Sequence, residues 1–423
     1  MNLRELLLHS FQAALDAADP LQIVPAHLPH PPKGKTLVVG AGKAACAMAQ
    51  AVETHWPAEA SLAGIVITRY GHSLPTRKIE VVEAGHPLPD QHGELAARAM
   101  LEKVQTLTTD DLLLALFSGG GSSLLSLPLT GISMEELKAI TRQLLLCGAS
   151  IQEINTVRKH LSAVLGGRLA AACRAPIHCL IISDVTGDDP THIASGPCAP
   201  DPTTYADTLA LLKQYAINVS PQVMAILQER SQHGADETPK PGDAVFRNVQ
   251  NHVIATAHQS LMAAERFFRR HNITPLILGD TVTGEAREVA KVYAALAREI
   301  HRYGQPFKPP VALISGGETT VTVKGPGRGG RNTEFLLSLA LALNGLKGVY
   351  ALACDTDGID GTEQNAGAIM TPDTLTRAHQ LGLDPNALLN DNDGYSFFQR
   401  LDDLVITGPT RTNVNDYRVI VVS

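Results

Sequence analysis

No stretch of the 423 residues approaches eighteen uninterrupted apolar side chains, so no membrane-spanning helix of ordinary length is expected. The opening MNLRELLLHSF breaks its apolar run with Glu5 and offers no small-residue cleavage site, which argues against a signal peptide. Long blocks of one charge are missing too. The formal net charge of −7 is spread over interspersed signs, and this argues against nucleic acid or a membrane surface as partner. The six cysteines are scattered without paired zinc spacing and read as reduced, mostly buried thiols of a cytoplasmic protein. No GxSxG elbow, HExxH helix or close Cys and His pattern is present to suggest common hydrolase or zinc chemistry. Aromatics are scarce at 4% while glycines number 35, a balance that suits an α/β enzyme rich in tight turns.

The turns organise the chain. Thr36 to Val39 suit a buried strand and run into Gly40, Ala41 and Gly42, then into helix formers from Lys43. A strand, tight turn and helix in that order aim unpaired N–H groups at the space above the strand end, where an anion belongs. The spacing of Gly40, Gly42 and Ala45 also fits a loose dinucleotide fingerprint. However, the next strand, Gly64 to Thr68, ends in Arg69 and Tyr70 rather than in an acid for a ribose, and Lys43 at the turn suits a phosphoryl group. A second turn follows the apolar run Leu112 to Phe117: Ser118, Gly119, Gly120, Gly121, Ser122, Ser123. Three glycines with flanking hydroxyls can present several N–H donors to an anion, although no Gly-Lys-Ser/Thr closes a Walker loop.

Further polar motifs follow strand-like runs. Ile177 to Ile182 delivers Asp184, Asp188 and Asp189 and then Ser195-Gly196-Pro197; three carboxylates there are costly unless they meet a cation or a substrate. A helix through Asn155, Val157, Arg158, Lys159 and His160 is unusually polar, either a solvated face or a basic edge turned toward a cleft. His86, between Gly85 and Pro87, reads equally as a turn residue and as a participant. In the last third, Val311 to Ile314 leads to Ser315, Gly316, Gly317, Glu318 and Thr319, with the alternating TTVTV as a strand leaving that turn. Arg328 and Arg331 lie in a glycine-rich segment opening a helix, a setting for a carboxylate or phosphate. Tyr350 to Ala353 precedes Asp355, Asp357 and Asp360. That acidic turn lacks the twelve-residue pattern of a calcium loop, and a magnesium site or a carboxylate orienting a hydroxyl suits it better.

The alternation of strands and helices predicts two α/β domains. Residues 1–240 form a Rossmann-like, doubly wound parallel sheet with helices on both faces. Residues 241–423 form a smaller mixed α/β domain whose last strands are free to pack back on the first. The active site is expected in the cleft between them, and the polar stretch Ser231 to Asp243 reads as a linker or exposed loop. Lysine, glycine turns, acidic clusters and an arginine pair make up the inventory of phosphoryl transfer.

Taken together, VVGAGKAA at Val38 to Ala45, SGGGSSLL at Ser118 to Leu125, SDVTGDDP at Ser183 to Pro190, SGGET at Ser315 to Thr319, GRGGRNTEF at Gly327 to Phe335 and the DTDGIDG turn resemble the type II glycerate kinases. That family carries a C-terminal MOFRL domain, and many of its members are named hydroxypyruvate reductases. The resemblance implies transfer of the γ-phosphoryl group of ATP, with Mg²⁺, to the 2-hydroxyl of D-glycerate. An NAD(P)H-dependent hydroxypyruvate reductase is the alternative. The resemblance to the glycerate kinases implies Lys43, an aspartate (Asp184 or Asp188) and an arginine (Arg331 or Arg328) as catalytic residues. Gly40, Gly42, Ser118 to Ser122, Gly316 and Gly317 would hold the nucleotide, and Asp189, Glu318 and Asp355 the metal. Small molecules are the expected partners, a cytoplasmic location is expected, and assembly into a homo-oligomer stays open.

Overall fold

The structure, a computed structural model, describes residues 2–234 and 236–423. It divides into two compact units, Pro20–Ile254 and Ala255–Ser423, the latter joined by the chain up to Asp19. In the first unit six strands, β1 (Thr36–Ala41), β2 (Leu62–Arg69), β3 (Ile79–Ala84), β4 (Leu112–Phe117), β5 (Ile177–Ile182) and β6 (Val249–Ala255), lie in the order β3-β2-β1-β4-β5-β6. The β1/β2, β2/β3, β1/β4 and β4/β5 pairs are parallel. β1 and β4 are buried along their whole length, as central strands covered on both faces must be. Chain direction across the sheet reverses between β1 and β4, and in such sheets the crevice for ligands opens at the strands' C-terminal ends at that reversal. Both glycine turns leave the sheet there.

The second unit holds β7 (Thr274–Gly279), β8 (Val311–Ser315), β9 (Val349–Asp355), β10 (Gly367–Met370), β11 (Leu404–Val405) and β12 (Asp416–Val422), in the order β11-β10-β9-β12-β8-β7. Only β7 and β8 pair in parallel; β12 runs antiparallel to both β8 and β9. The last strand is therefore the interior of the second sheet and does not return to the first.

The division differs from the expected one at three places. β6, expected to start the second domain, is the sixth strand of the first sheet, so the boundary falls after Ile254 rather than near 240. Polar composition near 240 marks packing rather than a linker: Thr238 is buried with its Oγ1 donating to Asp201 Oδ2 at 3.1 Å, and Lys240 Nζ donates to Thr238 Oγ1 at 2.8 Å. Ala235 of this stretch lies outside the described residues. Finally, the first helix, Leu3–Asp16, belongs to the second unit. Its Leu6, Leu7, Phe11, Ala14 and Leu15 share a core with Phe268, Ile314, Leu352 and Val419, and Phe11 stacks on Tyr417 at 5.8 Å between ring centroids. Burying each large apolar side chain contributes about 1.5–3 kcal/mol, which is ample to hold an amphipathic helix to a sheet far away in sequence. TTVTV does not form a strand; only Thr320 makes an isolated bridge, to Glu285. All six cysteines are free, four of them buried.

Candidate active site

At the reversal point the two glycine turns lock together. Gly42 has φ +137°, and a Cβ there would fall 2.1 Å from Ser118 Oγ, so no other residue fits without displacing the second turn. Lys43 N–H donates to the Gly119 carbonyl at 2.9 Å and Ala44 N–H to Ser118 Oγ at 3.0 Å, while Ala45 N–H returns to Gly42. The amides expected to face an anion from Lys43 onward are thus used internally, and Ser118 is a clamp between turns. The donors come from the second turn, where Gly119 and Gly120 N–H have no protein acceptor among the described residues. Gly120, at φ +80°, packs so closely that a Cβ would lie 2.8 Å from His86 Nε2 and 3.6 Å from Lys43 Cγ. Lys43, His86 and the triple-glycine turn therefore converge.

The loop after β5 reaches the same place. Ser122 Oγ and Ser195 Oγ are 2.8 Å apart, and Ser195 donates to Asn155 Oδ1 at 3.1 Å. Ala194 and Ser195 have φ of +51° and +57°, a strained pair for residues with a Cβ, and a Cβ on Gly121 would meet that of Ala194 at 2.5 Å. Asp184 lies two residues beyond β5 and is half-buried; Asp188 sits at φ +55° in the turn beyond; Asp189 Oδ1 accepts the Thr191 N–H at 3.0 Å. The loop is anchored from below by Lys159, which is fully buried and donates to Thr191 Oγ1 at 3.0 Å and Asp201 Oδ1 at 3.3 Å. In the helix Ile151–His160, Asn155, Thr156, Lys159 and His160 are buried rather than solvated; Asn155, Lys159 and His160 bond to neighbouring segments, and Thr156 Oγ1 donates to the Gln152 carbonyl.

In the second unit Arg331 stands at the centre of a carboxylate cluster. Its Nε lies 2.9 Å from both oxygens of Asp416, Nη1 is 2.5 Å from Glu318, and Nη2 is 2.7 Å from Asp355. Burial opposes its charge, but Asp416, Asp355 and Glu318 outweigh it and hold the guanidinium well above its ordinary pKa. Arg418, fully buried, also pairs with Asp416. Asp360 caps the helix Arg331–Leu343, accepting the N–H groups of Asn332 and Thr333, each at 2.9 Å; burial raises its pKa despite these bonds. Arg328, by contrast, is exposed and lies over the Tyr395 ring at 4.7 Å. The Gly316-Gly317 turn is engaged in packing. Gly316 N–H donates to Gly279, its carbonyl accepts from Arg418, and a Cβ on Gly317 would fall 2.3 Å from the Val282 backbone.

Of the expected site residues, the structure joins Gly40, Gly42, Lys43 and Ser118 to Ser122 in one unit. It joins Glu318, Asp355 and Arg331 in the other; Asp189 belongs to the first unit. Ser195 and Asn155 were not among the expected site residues; in the sequence they stood out only as part of a Ser-Gly-Pro motif and of an unusually polar helix.

A doubly wound sheet with a lysine and a bare-amide turn at its reversal point, and a mixed-sheet unit bearing an acid–arginine cluster, define a two-unit α/β protein suited to anionic small molecules. Similarity to known proteins narrows this class. A domain family of unknown function (DUF4147) matches residues 6–228, and the MOFRL family matches residues 311–416. A Thermotoga maritima protein named D-glycerate 2-kinase is 41% identical over 418 residues, 98% of this chain and 97% of its own. The crystal structure of glycerate kinase from Thermotoga maritima matches with a TM-score of 0.89 at 39% identity, covering 100% of this chain and 99% of that one. An Agrobacterium vitis protein provisionally named hydroxypyruvate reductase is 48% identical over 99% of this chain and 94% of its own. The chain belongs to the MOFRL-domain glycerate 2-kinase family.

Proposed function

We propose that the chain is an ATP-dependent glycerate 2-kinase. The observation that carries the reading is the convergence of Lys43 and His86 on the Gly119–Gly120 turn at the sheet's reversal point, in a chain 41% identical to a protein named D-glycerate 2-kinase. The 2-hydroxyl oxygen of D-glycerate attacks the γ-phosphorus, the bond to the β,γ-bridging oxygen breaks, and ADP and 2-phosphoglycerate result. The hydroxyl proton passes to a carboxylate, Asp184 or Asp188; Asp184, two residues beyond β5, is the nearer to the sheet in the chain. Lys43 and the two bare amides stabilise the charge that spreads over the phosphoryl oxygens.

Arg331 serves to hold Asp416, Asp355 and Glu318 in place, since an anion would have to displace all three to reach it. Those carboxylates have the oxygen chemistry of a magnesium site, yet each already faces Arg331, and among the described residues no three such side chains form a metal cage. Mg²⁺ that enters with the nucleotide's phosphates neutralises their charge without a dedicated protein cage. We place the protein in the cytoplasm, with small molecules as partners; among the described residues no helix is long and apolar enough to cross a membrane.

The test is purified protein with D-glycerate, ATP and Mg²⁺, following ADP and identifying the product by NMR, beside NADH and hydroxypyruvate. ADP release with 2-phosphoglycerate, abolished by Lys43→Met, is expected. Oxidation of NADH by hydroxypyruvate without kinase activity would select the reductase name of the Agrobacterium vitis relative. Against that outcome, β2 ends in Arg69, and Glu83 nearby is engaged by the Gly71 and Ser73 amides.

A further inference from the structure

Resting on the kinase reading, we infer that Arg158 holds the carboxylate of the acceptor. The helix Ile151–His160 presents Asn155 and, three residues on and hence on the same face, Arg158. Arg158 lines a small cavity with the hydroxyl residues Ser122, Ser123, Ser126, Ser162 and Thr141, and it is the one charged residue among those described there. No carboxylate or carbonyl pairs with its guanidinium among the described residues. Its five N–H donors therefore have no protein acceptor among the described residues. Burial without an opposing charge lowers its pKa to about 10, so it is still protonated at neutral pH. Such a group is costly unless an anion completes it.

The cavity also selects among anions. Its inner space is about that of one water molecule, far too small for a triphosphate chain, so only a small anionic head entering from the open side can reach Arg158. Ser122 and Ser123 continue the turn whose Gly120 abuts Lys43 and His86. The carboxylate and the carbon bearing the 2-hydroxyl are one bond apart, so an acid anchored at Arg158 has its reacting carbon at that turn. Arg331, which with Arg328 lies in the sequence segment suited to a carboxylate, has three carboxylates on it already.

The experiment compares D-glycerate with glyceramide, its uncharged amide, in wild type, Arg158→Gln, Arg158→Lys and Arg331→Gln. A preference ratio does not depend on how much of a variant is folded. In wild type glycerate is strongly preferred. In Arg158→Gln the preference falls by about tenfold to a hundredfold, the worth of a charge-assisted pair, while KM for ATP changes by less than roughly twofold. Arg158→Lys falls between, because an ammonium keeps the charge but loses the planar fork. An unchanged preference in Arg158→Gln overturns the assignment, as does a collapse seen only in Arg331→Gln. If wild type releases no ADP, calorimetric titration with the same two compounds decides. Glycerate binding that Arg158→Gln loses sustains the anchor while the kinase reading fails, and no glycerate binding by wild type overturns both.

Discussion

Arg331 and Arg158 read alike in the sequence, each an arginine in a polar segment of a helix, yet their surroundings give them opposite tasks. Arg331 neutralises Asp416, Asp355 and Glu318, so Arg331→Gln removes a counter-charge shared by three carboxylates and leaves the fully buried Asp416 with Arg418 alone. Loss of one partner from a buried ion cluster costs about 3–5 kcal/mol, and a urea denaturation midpoint lowered accordingly is the expected result. Glu237 supplies a pH-dependent counterpart. Burial works against its ionisation, but hydrogen bonding from His160 and the Tyr205 and Thr238 amides prevails and holds it from the ordinary 4.5 down to about 2. A depressed acid contributes stability that is fully present above the unfolded value and is lost as pH falls through the folded one. Glu237→Gln is thus expected to be less stable than wild type at neutral pH. The gap should close between about pH 4.5 and 2, as read from urea midpoints at each pH; a gap independent of pH would exclude this role.

At the scale of elements, the strand-turn-helix units were legible because their signals are local: an apolar run sets a buried strand, and glycines at positive φ set the turn. The spacing of Leu3, Leu6, Leu7, Phe11 and Leu15 marks the first helix as amphipathic, but nothing local gives its address. Its apolar face packs on the second unit's sheet because that surface, built around Phe268, Ile314 and Val419, is the one it covers there. Phe11→Ala removes a fully buried ring from this contact and is expected to cost about 3–5 kcal/mol. Hydrogen exchange would locate the effect. Amides of β9, β12 and the helix Ala257–Arg270 should lose protection while β1 to β5 keep theirs, and loss confined to β1 to β5 would contradict the packing. The TTVTV segment shows the opposite failure: alternation alone suggested a strand, but it lacks a partner strand beyond the single bridge at Thr320.

For the molecule as a whole, the two units divide the expected site residues between them, and this gives a prediction about ligands. D-glycerate alone is expected to slow hydrogen exchange in residues 118–126 and 151–160 of the first unit, and to leave 327–335 of the second unchanged. The reverse pattern would return the acceptor to the arginine segment.

The sequence by itself determined the class, the first sheet's strands, Lys43 and the glycine turns, because each rests on neighbours in the chain and on motifs with fixed spacing. Tertiary structure alone decided that β6 closes the first sheet, that the first helix joins the second unit, that Arg331 is occupied by acids and that Arg158 is not. Those facts depend on side chains that meet from well apart in the chain, 85 residues for Arg331 and Asp416 and 407 for Ser10 and Tyr417. Charge, burial and hydrogen bonding at such meetings have no local signature.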